Sequence, residues 1–242
     1  HKIVSGQMPD LTQKNNDFFF FKRSQPDMAI SLLVDLVKTR LPKAYGYSPT
    51  DDIQVISPSR KGTTGVIELN KALQEQLNPK NKLKQEVKSA VYTFREGDKI
   101  MQTKNNYDIV WSKDGEQGAG IYNGDIGKIL SISKQRMEVV VSFDGRTAVY
   151  TFDMINQLEL AYAVTVHKSQ GSEFEAVIMP ILGGFEKLYY RNLLYTAVTR
   201  AKKLLIIIGS EEVIARMVAN NKRTNRYTCL TAMLRDEMKQ HE

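Results

Sequence analysis

The spacing of hydrophobic residues changes period several times along this chain. Phe18–Phe21 is an unbroken apolar run of buried-strand type. From Pro26-Asp27, the stretch MAISLLVDLVKTRLP places Ile30, Leu33, Val34 and Val37 at i, i+3, i+4 and i+7. That is one face of a helix, which Pro42 is expected to end. DDIQVISPS predicts a strand at 53–57. KGTTGVIELNKALQEQLNP predicts a helix with Val66, Leu69, Leu73 and Leu77 inward and Pro79 as its stop. The lysine-rich segment 79–90 breaks the pattern and reads as a solvated connector.

The period then shortens. From Gly97 to about Gln157, brief alternating runs are broken by the turn pairs Asp114-Gly115, Asn123-Gly124 and Asp144-Gly145. RMEVVVSFDGRTAVYTF predicts a hairpin on Asp144-Gly145, residue types that accept the positive φ of a two-residue turn. Helical spacing returns in ELAYAVTVHKSQ, closed by Gly171. FEAVIMPIL is a buried strand, Tyr189–Arg200 a helix, Leu204–Ile208 a strand, and SEEVIARMVANN a helix with Ser210 as N-cap. A last helix is expected at 227–238. The order predicts an α/β fold: one parallel sheet flanked by helices, assembled from two chain segments around an inserted all-β module. The expected limits are 1–95 and 158–242 for the α/β domain and 96–157 for the insertion.

Composition narrows the functional classes. With 242 residues, 42% of them hydrophobic, the chain can bury a core and is not a disordered tail. A net charge of +7 suits a polyanionic partner. The single cysteine, Cys229, forms no intrachain disulfide and suggests a reducing, cytoplasmic setting. No run of 18 apolar residues occurs, so no membrane partner is expected. The polar start lacks an initiator methionine, and the expectation is a piece of a longer chain. Three histidines and one cysteine give no metal-ligand cluster, and no serine sits in a G-x-S-x-G elbow. Carboxylates clustered at metal spacing, as a nuclease would need, are absent too. There is no G-x-x-x-x-G-K-[ST] phosphate loop: Gly127-Lys128 lacks the upstream glycine and is followed by Ile129.

Two dense polar stretches remain, AYAVTVHKSQGSEFEAV at 161–177 and RNLLYTAVTRAKKLLIIIG at 191–209. Each adjoins a buried strand, where open α/β sheets gather ligands. Arg200 has two readings, a cation at a helix C-terminus or a forked donor to a phosphate. His167 reads as a structural histidine or a ligand contact, and Lys202 and Lys203 as a solvated face.

Residues 161–177 resemble motif V of superfamily 1 helicases, and 191–203 resemble motif VI. AYAVTVHKSQGSEF followed by RNLLYTAVTRAKK is especially similar to the RecD-like DNA helicases. IQVISPSRKGTTGVIELNKALQEQLNP, GDKIMQTKNNYDIVW and the NGDIG…VSFDGR region resemble further segments of that family, the last its SH3-like insertion. The resemblance implies a RecA-like (P-loop NTPase-type) α/β domain carrying a small SH3-like barrel. It implies an ATP-dependent 5′–3′ helicase on single-stranded DNA, with this chain as its second motor domain. ATP and Mg2+ would then be bound mainly by an N-terminal RecA-like domain of the same parent chain, and the chain alone would not hydrolyse ATP.

By the same resemblance, Arg200 is the arginine finger, and Gly171 and Glu173 meet the nucleotide. Lys168 and Gln170 sense the γ-phosphate or link it to DNA. Thr165, His167, Ser169 and Lys61, with Gly62 and Gly65, are expected to grip DNA. Asn105, Asn106 and Tyr107 form a further DNA-facing element or, for the asparagines, a plain turn. Trp111 and Tyr122 stack on bases or pack in the barrel core. Other repair proteins are candidate partners. The alternatives are a non-catalytic nucleic-acid-binding module, or the alpha subunit of an exodeoxyribonuclease V type complex.

Overall fold

The computed structural model describes residues 1–13 and 17–221, so the helix expected at 227–238 lies outside the described residues. Five strands form a fully parallel sheet in the order β1 (Phe18–Lys22), β14 (Ala201–Gly209), β13 (Phe174–Ile181), β2 (Ile53–Ser57) and β12 (Ala163–Thr165). Helices flank the sheet: α1 (Pro26–Asp35), α3 (Val66–Leu77) and α4 (Arg191–Val198) lie between strands, and α5 (Glu211–Ala219) follows β14.

Alternate residues of a strand point to opposite faces, and here both faces are covered. Ile53, Val55, Ile178 and Ile206 pack against Leu33 of α1 and Leu69 and Leu73 of α3. Ile56, Val177, Met179 and Ile207 pack against Leu193 and Leu194 of α4 and Ile214 and Met217 of α5. Full burial of each such side chain is worth about 1.5–3 kcal/mol, which is why these strands read as nearly continuous apolar runs.

Between α3 and β12 the chain leaves the sheet to build the second module. A two-stranded ribbon, β3 (Glu86–Lys88) and β4 (Thr93–Arg95), comes first. A seven-stranded antiparallel sheet follows, in the order β11 (Leu158–Leu160), β5 (Lys99–Gln102), β8 (Ile126–Ser133), β9 (Glu138–Phe143), β10 (Arg146–Thr151), β6 (Asn106–Lys113) and β7 (Glu116–Ile121). Asp144 and Gly145 join β9 to β10 with φ of 51° and 80°, the two-residue turn read from the sequence. Phe143 and Tyr150, both fully buried, centre its core.

Several expectations need correction. ELAYAVTVHKSQ is not a helix: it holds β11, β12 and a run of turns. Leu160–Val164 are buried without a break, and Asn70 of α3 pins the main chain at Leu160 and Ala163 by three hydrogen bonds. Burial on every side, rather than along one stripe, is a strand property here. The antiparallel sheet also takes in β11, beyond the expected limit at 157. Pro42 does not end the first helix. A π-turn over Leu36–Arg40 lets the Leu41 N–H reach the Leu36 carbonyl, and α2 (Leu41–Tyr45) continues with Pro42 in its first turn. The connector at 79–90 includes β3. Ser210 precedes α5 but makes no capping bond; its hydroxyl donates to the Glu212 carboxylate instead.

A buried polar seam joins the two modules. Asp98 accepts hydrogen bonds from Gln74 and Asn78 of α3, from the Arg95 N–H and from the Tyr162 hydroxyl, at 2.6–2.9 Å. Burial nevertheless holds its carboxyl above the usual range, against those donors. Lys99 is buried with its ammonium on Gln54 of β2 at 3.0 Å, and burial pushes its pKa down to about 8. Arg95 reaches Glu75 of α3 at 2.5 Å, Glu86 at 2.8 Å and the Asn78 carbonyl at 3.0 Å. No helix among the described residues is long and apolar enough to cross a membrane.

Candidate nucleotide and nucleic-acid interface

The parallel sheet has two rims, and the site residues divide between them. One rim is where β13 and β14 begin. Gly171 takes φ +84°, a left-handed turn that a side chain would strain, and the chain enters β13 through Ser172 and Glu173. The Phe174 N–H donates to the Arg200 carbonyl at 2.9 Å, so the two dense polar stretches are hydrogen-bonded neighbours. The half-buried Arg200 guanidinium rests on three uncharged oxygens: the Thr196 carbonyl at 3.1 Å, the Ser172 carbonyl at 3.0 Å and Thr199 Oγ1 at 3.2 Å. The bond to Thr196 is the helix-end contact that sequence alone left open. Glu173 is exposed and lines a cleft of about 480 Å3 shared with Asp51, Lys99 and Lys128.

The other rim is where β2 and β12 end. Ser57 Oγ donates to the Thr64 carbonyl at 2.7 Å and Ser59 Oγ to the Lys61 carbonyl at 3.1 Å, closing a compact loop before α3. A Cβ on Gly65 would lie 2.6 Å from the Lys61 carbonyl oxygen, so only glycine allows that close return. Lys61 and Gly62 are exposed at its tip. The Val166 N–H donates to Ser57 at 3.2 Å and brings in the turn after β12, where Thr165 is half-buried and His167 and Gln170 are exposed.

Lys168 lies on this rim, its Nζ on Glu159 at 2.9 Å. Ser169 is a correction. It is 1% exposed and its hydroxyl donates to the Val166 carbonyl at 2.8 Å, so the side chain builds the turn and faces no solvent-side strand. Arg60 was missed by sequence reasoning, as was Glu159: Arg60 Nη2 lies 2.7 Å from the second Glu159 oxygen. No sequence signal pairs residues 99 apart in this way; only the fold does.

On the antiparallel module, Asn106 is structural, donating to Gln157 at 3.0 Å and accepting from the Asp108 N–H at 3.1 Å. Asn105 accepts from the Asn123 N–H at 2.9 Å and donates to the Tyr107 hydroxyl at 3.3 Å. Tyr107 is 65% exposed and meets Tyr122 edge-on at 5.8 Å. Core packing is therefore the correct reading for the half-buried Trp111, which joins the main core under Arg146, but not for Tyr122.

Comparison of the sequence with known proteins gives the class, the C-terminal region of a superfamily 1 DNA helicase. The family model for the ATP-dependent RecD-like DNA helicase SH3 domain matches residues 69–143, and that for the UvrD-like helicase C-terminal domain matches 160–208. The ATP-dependent RecD2 DNA helicase of Deinococcus radiodurans is 34% identical over 76% of this chain and 23% of its own length. The RecBCD enzyme subunit RecD of Mycobacterium tuberculosis is 31% identical over 70% of this chain and 27% of its own. The chain belongs to the RecD-like DNA helicases, and it spans about a quarter of the length of these two relatives. Among solved structures, Pif1 helicase from Candida albicans covers 100% of this chain and 56% of its own at 17% identity and a TM-score of 0.49. That likeness is too remote to place a residue.

Proposed function

We propose that this chain is the second motor domain of an ATP-dependent helicase that moves 5′ to 3′ along single-stranded DNA, and that Arg200 is its arginine finger. The proposal starts from the division read in the sequence, 1–95 and 158–242 for the motor domain and 96–157 for the module, and moves Leu158–Leu160 (β11), which pairs with β5, to the module. One observation supports the reading above others. Arg200 shares a rim with Gly171–Glu173, and its guanidinium rests on neutral oxygens alone. Neutral partners fix a guanidinium without cancelling its charge, which leaves it competent to stabilise the charge on a transferring phosphoryl group. Gly171 and Glu173 complete the nucleotide side, and Gln170, exposed in the turn after β12, links it to the strand. ATP and Mg2+ are held mainly by an N-terminal RecA-like domain of the parent chain, and this domain closes on them.

The opposite rim grips the strand through Thr165, His167 and Lys61, with Asn105 and Tyr107 extending the track onto the module. Phosphate contacts hold the strand and an aromatic face such as Tyr107 stacks on a base. Each ATP cycle then moves the grip. Other repair proteins join this motor in some settings. The test is unwinding by the full-length protein with ATP, on duplexes carrying a 5′ or a 3′ single-stranded tail. The expected result is opening of the 5′-tailed duplex only. Opening of the 3′-tailed duplex alone, or of neither, overturns the reading.

A further inference from the structure

Arg60, Glu159 and Lys168 come from three separate elements and meet at the rim where β2 and β12 end. Arg60 lies in the loop after β2, Lys168 in the turn after β12, and Glu159 on β11 of the antiparallel module. Each Glu159 oxygen holds one cation, Arg60 at 2.7 Å and Lys168 at 2.9 Å. The two cations are like charges brought together by a carboxylate between them. Their side chains are 51% and 29% exposed, that of Glu159 19%, and Lys61 and His167 stand exposed on the same rim.

We propose that Arg60 and Lys168 form a seat for one backbone phosphate of the bound strand, and that Glu159 fills this seat in the free protein and weakens the grip in the bound one. The inference rests on the reading of this rim as a DNA track. A phosphate diester presents the same charge and the same kind of oxygen acceptors as a carboxylate, and a guanidinium fork fits either. Only one Arg60 nitrogen and one Lys168 hydrogen bond engage Glu159, so both cations keep donors free. The Arg60 side chain is half-exposed, so its pair with Glu159 is weak and screened by salt, and an incoming phosphate can exchange for the carboxylate there first.

Glu159 cannot leave with the exchange. Its strand is bonded to β5, with Glu159 opposite Met101, so its charge stays beside the seated phosphate and opposes it. A motor needs a grip that lets go each cycle, and a fixed carboxylate behind the seat supplies that release. The seat also links the modules: the grip forms on the motor domain, and the counter-charge comes from the insertion.

The test is binding of a fluorescent single-stranded oligonucleotide to the 242-residue chain over a salt series, with folding checked by thermal melting. Glu159→Gln should bind tighter than the wild type, with a log–log salt slope steeper by about one. Arg60→Ala and Lys168→Ala should each bind more weakly, with slopes shallower by about one. The gain from Glu159→Gln should vanish when Arg60→Ala and Lys168→Ala are added. Unchanged or weaker binding by folded Glu159→Gln overturns the proposal, as does a gain that survives both added changes. If Glu159→Gln does not fold, unchanged slopes in both alanine variants overturn it. Salt-independent binding by the wild type refutes the DNA track itself, a different failure from loss of the seat alone.

Discussion

The seam between the modules and the rims of the parallel sheet hold the same kinds of side chain in opposite states. At the seam, Asp98 and Arg95 are both buried; Asp98 has four donors, and Arg95 has two carboxylates and a carbonyl. At the rims, Arg200 leans on carbonyls and a hydroxyl, and Arg60 and Lys168 share one carboxylate while half-open to water. A buried polar group with every partner in place is expensive to disturb and has nothing left to offer a ligand. A half-exposed cation with spare donors is cheap to disturb and free to bind. The seam is therefore structure, and the sites proposed above fall on the rims, although charge and composition do not separate the two.

This contrast predicts which changes cost stability and which cost activity. The largest expected effect is at Arg200: in the full-length protein, Arg200→Ala should lower DNA-stimulated ATP turnover by about 10³-fold or more, with nucleotide affinity and melting temperature nearly unchanged. Unfolding of that variant would put Arg200 on the structural side. Next, Asp98→Ala should leave the Arg95 N–H and the Tyr162 hydroxyl without a partner, and the Gln74 and Asn78 amides with only the Thr93 and Glu96 carbonyls; the cost should be about 3–5 kcal/mol, read as a fall in melting temperature of roughly 10 °C or more. A wild-type melting temperature would break the contrast at the seam.

Lys99 gives a smaller effect with a defined pH window. Its folded pKa of about 8 lies below the ordinary lysine value of 10.5, so above pH 8 the unfolded chain holds more protons than the folded one. Stability conferred at this site should rise from pH 8 upward, and below pH 8 the cost of burying the charge is constant. Denaturation of Lys99→Met followed between pH 7 and about 9.5, below most tyrosine ionisation, should lack that rise. The smallest effect is at Lys203, an exposed cation on Glu175 at 2.8 Å beside the nucleotide rim. Lys203→Ala should change neither melting nor turnover measurably, which would set it apart from Arg200 three positions away.

Much of this molecule was legible in its sequence because periodicity follows burial. Ile53–Ser57, Val66–Leu77 and the hairpin on Asp144-Gly145 fall where their patterns put them. ELAYAVTVHKSQ failed because its apolar residues satisfy a helical template while their real neighbours, Asn70 and two different sheets, lie far away in sequence. Pro42 failed because a single π-turn absorbs it. Within the site, motif wording pointed to Arg200, Gly171 and His167, but partners could not be read. Nothing in H-K-S-Q shows that Ser169 turns inward while Lys168 meets Glu159. Glu159 and Arg60 carried no signal at all, since each is an ordinary surface charge until the chain folds.

The central claim is that Arg200 leaves its neutral partners for a phosphate held on another domain. A structure of the full-length protein with single-stranded DNA and a transition-state nucleotide analogue measures this directly. The Arg200 guanidinium is expected within about 3 Å of the γ-phosphate mimic, released from Thr196 and Ser172. A closed complex in which Arg200 still rests on those two carbonyls, with another cation on the phosphate, would contradict it.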